Sequence, residues 1–256
     1  MLDIIRARLQ QGNRTMDFPN KVPPFPERYR GLPTVDAASC PDGCQECVEA
    51  CPVQAVSIGE KGPRIDLGRC LFCTACVDAC PEDAIVYGED YRLSARSRED
   101  LVVDAEGMRL AEALDAKSRA LFGRSLRLRQ VSAGGCNACE VEVNVLNTVV
   151  FDLGRFGVQF VASPRHADGL LITGPVTGNM RLALQKAYDA VPTPKIVIAV
   201  GSCAISGGPF RDHPQQSNGA DTLLPVDLYI PGNPPHPLTI LDGLLRLLGR
   251  IQGDKR

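Results

Sequence analysis

Residues 40–52, CPDGCQECVEACP, and residues 70–81, CLFCTACVDACP, decide how this chain is read. Eight of its eleven cysteines lie in these two runs, so most of its thiol chemistry is concentrated there. The first run reads Cys40-x3-Cys44-x2-Cys47-x3-Cys51-Pro52 and the second Cys70-x2-Cys73-x2-Cys76-x3-Cys80-Pro81. An iron–sulfur cube takes four thiolates. A C-x2-C-x2-C-x3-C-P run supplies three from one tight loop and sends the fourth across to a second cube. The spacing therefore assigns Cys40, Cys44, Cys47 and Cys80 to one 4Fe–4S cluster, and Cys70, Cys73, Cys76 and Cys51 to another. A structural zinc site closes with four ligands and has no use for a repeated fourth Cys-Pro. A disulfide framework belongs to small secreted domains, which this chain does not resemble in composition.

The bulk numbers bound the rest. The chain has 256 residues, 44% hydrophobic and 23% charged, which suffices for one or two domains with real cores. A net charge of −2, no Lys/Arg-rich run and no Trp argue against a nucleic-acid partner. No stretch approaches the roughly 20 apolar residues of a membrane span, and the start lacks a long apolar leader. Cysteines used without a secretory leader point to a reducing compartment, so the expected location is the cytoplasm.

Taken in order, residues 1–11 place Leu2, Ile5 and Leu9 at helical spacing with Arg6 and Arg8 off that face. This predicts a short amphipathic helix, packed on the protein's own surface or docked on a membrane edge or partner. Residues 17–33 hold five prolines and predict an extended arm lying on a partner subunit. Residues 40–87 form an internal repeat: Cys44, Cys47, Cys51 and Ala55 recur 29 positions later at Cys73, Cys76, Cys80 and Ala84. Short helices are expected at Glu46–Ala50 and Ala75–Ala79, and short strands at Ala55–Ile58 and Ala84–Tyr87. The cysteine-free stretch 91–124, partly helical between Leu101 and Phe122, reads as a connector.

From Leu126 onward strands alternate with helices, which implies a parallel sheet covered on both faces. Strands are predicted at Leu126–Val131, Val158–Ala162, Leu170–Thr173, Lys195–Val200 and Val226–Ile230. Helices are predicted at Ala138–Val150 (apolar stripe Val141, Val145, Leu146, Val149), Gly178–Ala190 and Leu238–Leu248. Three loops follow strands: Gly134–Glu140 with Cys136 and Cys139, Gly201–Ala204 with Cys203, and Pro231–Pro235 with Asn233. At strand C-termini they should converge on one place. Cys136 and Cys139, opening a helix, are expected to be held as thiolates by the helix dipole. Glycines 207 and 208 lack the following Lys-Ser/Thr of a phosphate loop, and no GxGxxG follows a strand.

GGCNACE (134–140), RHADGLLITGPVT (165–177), PKIVIAVGSCAISGG (194–208) and VDLYIPGNPPHP (226–237) resemble the small subunit shared by energy-converting, membrane-bound NiFe hydrogenases (formate hydrogenlyase type) and the quinone-side 20 kDa subunit of respiratory complex I. The first half, with ERYRG at 27–31, resembles the two-cluster ferredoxin subunit of the same complexes. The resemblance implies a fusion: a helix and Pro-rich arm over 1–36, an α+β ferredoxin-like domain over 37–90, the connector over 91–124, and an α/β flavodoxin-like domain with a mainly parallel sheet over 125–256. It also implies a third 4Fe–4S cluster held by Cys136, Cys139, Cys203 and a fourth cysteine in PGCPP, where this chain has Asn233. Three outcomes stand open there: a cube with an oxygen or nitrogen ligand from Asn233, His236 or water; a three-iron cluster; or three buried thiols without a cluster. A non-cysteine ligand would raise the reduction potential.

The remaining candidates read more plainly. His166 and His213 are loop residues. Glu140 and Glu142 complement a helix start, with Glu140 shaping a proton route in the resembled family. No catalytic residue is expected on this chain. The expected function is an iron–sulfur electron-transfer subunit of a membrane-associated hydrogenase-like or complex I-like oxidoreductase, peripheral on the inner face of the cell membrane. It would work with a large subunit bearing the catalytic centre and with membrane subunits. The rival readings are a quinone-reducing or nickel-free relative, and a chain whose second half is only a scaffold.

Overall fold

The computed structural model describes residues 2–251; Met1 of the expected first helix and residues 252–256 of the expected last domain lie outside the described residues. The first half contains α1 (Leu2–Gln11), β1 (Pro33–Val35), α2 (Glu46–Glu49), β2 (Val56–Gly59), β3 (Gly62–Asp66), α3 (Ala75–Asp78) and β4 (Ile85–Tyr87). After β5 (Val102–Val103) and α4 (Ala116–Phe122), the second half runs β6 (Leu126–Ser132), α5 (Ala138–Val145), β7 (Val158–Phe160), β8 (Gly169–Thr173), α6 (Gly178–Ala190), β9 (Ile196–Val200), α7 (Ser202–Ser206), β10 (Leu228–Ile230) and α8 (Pro237–Leu247).

The cysteine-rich half is built on two small antiparallel sheets. β1 pairs with β4, and β2 forms a hairpin with β3, which also takes β5. The sequence pattern finds β2 and β4 through the repeat but misses β1, β3 and β5. β3 opens on Gly62-Pro63, which reads as a breaker, and β5 is only two residues long. The core here is Val35, Ile65, Leu67, Ile85, Leu93 and Val103, with Cys47, Cys70 and Cys76 among them. Cysteine sulfur thus fills space that aliphatic side chains would fill in a larger domain.

In the second half the sheet order is β10-β9-β8-β6-β7, and every pair is parallel. β8 and β9 are buried at every position, as strands covered on both faces must be. Leu126, Leu128, Leu171, Ile198 and Val200 face one core with Leu241, Leu244 and Leu245 of α8. Leu170, Ile172, Val197 and Ala199 face the other with Leu184 of α6 and Ile205 of α7. The alternation 170/171/172 between the two cores is the period of two that a strand imposes.

Two expectations need correction, for the arm and for the face of α5. Part of the arm lies on this chain's own second half: Phe18 is 2% exposed and its carbonyl accepts from Arg155 Nη2 at 3.1 Å, and Phe25 stands edge-on to His236 at 5.3 Å. Helix α1 forms as expected and buries no residue. The expected stripe of α5 is only half right: Leu146 is buried and Val145 packs against the core, but Val141 and Val149 are exposed, and Cys139 and Val143 point inward instead. That helix stops at Val145, so Val149 never joins its face. The connector is partly helical as expected, at Ala116–Phe122, capped by the Asp115 carboxylate, which accepts from the N–H groups of Lys117 and Ser118. The rest is tied down: Arg98 pairs with both oxygens of Asp66 at 2.8 and 2.9 Å, and Ala95 exchanges both backbone bonds with Tyr229 of β10.

Candidate metal centres

The eleven thiols are all free of disulfides. Burial raises the Cys47 thiol to about 11, and Cys40, Cys80, Cys76 and Cys44 add to the rise. Cys40 is raised by burial and then by Cys44 and Cys80. Cys70 is pushed up to about 11 by burial, with Cys76 and Cys51 adding. Cys76 in turn feels burial first and then, among the thiols, Cys51 and Cys73. Cys80 is thus a neighbour of the first run's thiols and Cys51 of the second's. The sets adjoin through Cys47 and Cys76, which sit in α2 and α3. Among the described residues, no three His, Cys, Asp or Glu side chains close on a single-ion site.

The backbone prepares these sulfurs. The N–H of Ala55 points at Cys51 Sγ (3.2 Å) and that of Ala84 at Cys80 Sγ (3.3 Å), a matched pair across the repeat. Phe72 N–H adds a contact to Cys70 Sγ at 3.3 Å. The Tyr87 hydroxyl lies 3.2 Å from Cys70 Sγ. Burial, then Cys70, raises that phenol far above its ordinary value, so it stays protonated. Sequence reasoning misses Tyr87; the available signal is its counterpart in the repeat, Ile58, 29 positions earlier.

The third locus forms where the strand-end loops meet. Cys139 and Cys203 are buried and Cys136 is exposed. Two glycines make the room. A Cβ on Gly201 would stand 2.5 Å from Cys139 Sγ, and one on Gly208 would stand 2.8 Å from Cys203 Sγ; both have positive φ. The loop carrying Asn233 is pinned beside them, because Ser202 N–H donates to the Gly232 carbonyl at 2.9 Å. Asn233 itself is exposed and lines an open cleft of about 460 Å³ with Arg28, Arg30, Cys73 and Glu142. Against the expected pull of the helix start toward thiolate, burial drives the Cys139 thiol up to about 12, with Cys203 and Glu140 adding. Burial likewise brings Cys203 to about 11. A metal must remove these protons itself.

The polar neighbours have defined tasks. Glu140 is buried, and its Oε1 accepts from Thr173 Oγ1 at 2.6 Å. Burial works to raise this carboxyl, but the Ser132 and Thr173 hydroxyls outweigh it and hold it below the usual carboxylate range. Burial raises Glu142. His236 Nδ1 accepts from Leu238 N–H at 3.1 Å as the cap of α8, and its ring stands edge-on to Phe25 and Tyr29. That is a packing role. His213 Nδ1 accepts from Gln215 N–H, and His166 is exposed in a turn.

The donor sets fit cubes. The first half offers two groups of four thiols, and the third locus offers three thiols around glycines that leave the sulfurs clear. A seam joins the halves: Ser206 of α7 donates to the Gly68 carbonyl, two residues ahead of Cys70.

The model of the 4Fe-4S dicluster domain matches residues 39–84, and that of the NADH ubiquinone oxidoreductase 20 Kd subunit matches residues 136–247. A probable membrane-bound hydrogenase subunit of Pyrococcus furiosus is 42% identical over 130 residues, covering 51% of this chain and 78% of that protein. Formate hydrogenlyase subunit 7 of Escherichia coli is 46% identical over 129 residues, 50% of this chain and 51% of that protein, so the match spans about half of that relative. An NADH-quinone oxidoreductase subunit of Heliobacterium modesticaldum is 44% identical over 121 residues, 47% of this chain and 69% of that protein. The chain therefore belongs to the family of the NADH ubiquinone oxidoreductase 20 Kd subunit, a family of oxidoreductase subunits, and carries a 4Fe-4S dicluster domain ahead of that part.

Proposed function

We propose that this chain is the electron-relay subunit of a membrane-associated hydrogenase-like or complex I-like oxidoreductase, with the reacting centre on a large partner subunit. The observation that supports the reading is that Cys80 neighbours the thiols of the first run and Cys51 those of the second, next to a third locus across the Ser206–Gly68 seam. The first set would be Cys40, Cys44, Cys47 and Cys80, the second Cys51, Cys70, Cys73 and Cys76, and the third Cys136, Cys139 and Cys203 beside Asn233. When bound, 4Fe–4S clusters supply one-electron carriers. The residues do the rest. Buried Ile65, Leu67 and Ile85 keep water from the first two sets, and Ala55, Phe72 and Ala84 turn N–H groups toward the sulfurs. Exposed Cys136 and Asn233 put the third locus at the surface, where a large subunit would face it.

Among the described residues no helix is long and apolar enough to cross a membrane, so attachment would run through membrane subunits of the same complex. Iron and sulfide counts with EPR on the reduced, anaerobically reconstituted chain test the reading. About eight irons per chain means two cubes, and about eleven or twelve means a third cluster as well. A colourless chain without iron overturns it.

A further inference from the structure

The two ferredoxin-type sets come from a repeat, yet their surroundings are unequal. Ala55 and Ala84 give each set one equivalent N–H contact, so these cancel. Tyr87 does not cancel. Its hydroxyl reaches Cys70 Sγ at 3.2 Å, while the same position of the repeat holds Ile58, which has no donor. Ile58 stands at the matching place, lining a hollow with Cys40 and Cys44.

We propose that the Tyr87 hydroxyl holds the cluster on Cys51, Cys70, Cys73 and Cys76 at a higher reduction potential than the cluster on Cys40, Cys44, Cys47 and Cys80. The inference rests on the two-cluster reading above. A sulfur bound to iron carries no proton, so between Tyr87 and Cys70 only the phenol can donate. Reduction adds one electron, part of whose charge falls on the thiolate sulfurs. A donor there stabilises the reduced form more than the oxidised one, which raises the potential. The electron comes from the other ferredoxin-type cluster, which is oxidised as this one is reduced, and no proton moves.

Two further differences act in the same direction and one opposes them. Phe72 N–H adds a second unmatched contact at Cys70, and Arg30 sits on the Phe72 carbonyl at 3.0 Å. Asp42 stands near Cys40 and disfavours added negative charge. Burial works the other way, since the second set has two buried thiols, Cys70 and Cys76 at 6% exposure each, and the first has Cys47 at 4%. The gradient therefore points toward the set whose loop meets α7 and Cys203.

The test is an EPR-monitored redox titration of the full chain with its clusters, comparing wild type, Tyr87→Phe and Ile58→Tyr. Phenylalanine keeps the ring that packs edge-on to Phe72 and removes only the hydroxyl. Two distinct midpoints are expected in wild type. Tyr87→Phe should lower the upper one at unchanged iron content. An electron-sharing equilibrium shifted about tenfold toward the first cluster corresponds to 59 mV for a one-electron couple. Ile58→Tyr should raise the lower midpoint and leave the upper in place. Equal wild-type midpoints, or an unchanged upper midpoint in Tyr87→Phe, overturn the proposal. If Tyr87→Phe loses iron, Ile58→Tyr decides, and an unmoved lower midpoint overturns it. A wild-type chain lacking two cube signals overturns the two-cluster reading itself.

Discussion

Ser206, three residues past Cys203, donates its hydroxyl to the carbonyl of Gly68, two residues ahead of Cys70, at 2.8 Å. This bond ties the loop of the second cysteine set to the helix of the third locus. Gly68 is glycine for a steric reason: a Cβ there would lie 2.0 Å from Arg98 Nη1 and 2.8 Å from Ile205 Cγ2. Ser206→Ala should cost about 1 kcal/mol, the net value of one hydrogen bond. Gly68→Val should cost about 1–3 kcal/mol through overpacking and disturb the Arg98–Asp66 pair as well. Urea unfolding of both variants checks the order, and an unshifted midpoint for Gly68→Val would contradict it.

Single cysteine substitutions should remove iron in blocks. Cys76→Ser is expected to lose up to about four irons, while Cys203→Ser should lose only the irons of the third locus and spare the first two cubes. Iron analysis and EPR of each variant measure this. Equal losses for the two would mean the sets are wrongly drawn.

At Gly201 the constraint is narrow. Its φ is +87°, and a Cβ would stand 2.5 Å from Cys139 Sγ. Gly201→Ala should therefore abolish or reshape the third centre and leave the spectrum of the other two. Wild-type spectra for all three would show that the sulfur has room to move.

Thiol exposure predicts an order of alkylation in the iron-free chain. Cys73 and Cys136 are exposed and should react first; Cys47, Cys70, Cys76, Cys139 and Cys203 are buried and should lag. Mass spectrometry of a timed iodoacetamide reaction reads the order, and loading with iron and sulfide should protect the ligands.

Acid stability should carry the mark of Asp90. Burial works to raise its carboxyl, but hydrogen bonds from the Arg92 guanidinium and N–H hold it below its ordinary value. With the folded value depressed, its stabilisation is present above the ordinary carboxylate range and is lost as pH falls through the folded value. Asp90→Asn should therefore flatten the loss of stability between about pH 5 and pH 2. Urea midpoints across that range give the slope; identical slopes in both proteins would remove Asp90 from the account.

The fold is legible where repetition or burial reinforces periodicity. The β8 and β9 strands read as apolar runs, and α6 runs from Gly178 to Ala190 as predicted. The grouping of the first eight cysteines follows from spacing alone. What escapes has no local signal. β1 exists because β4 offers it a partner 50 residues away, and β3 hides behind Gly62-Pro63. The inward face of α5 is chosen by Cys139, Val143 and Leu146, while sequence hydrophobicity favours Val141 and Val149. The prolines of the arm demand a surface to lie on, and Phe18 finds one on its own chain. At the third locus the cysteines are visible, but the demand for Gly208 arises only when the chain folds back to bring it against Cys203.

An open parallel sheet leaves a row of unpaired amides and carbonyls at each rim, a template for adhesion to another chain. At one rim β7 is only three residues long. At the other, Ala95 of the connector occupies the Tyr229 position of β10 with two backbone bonds of 3.0 and 2.9 Å. The segment joining the halves is thus also a guard rail. A second half expressed from residue 125 onward would lose it, and should self-associate at concentrations where the whole chain stays dispersed.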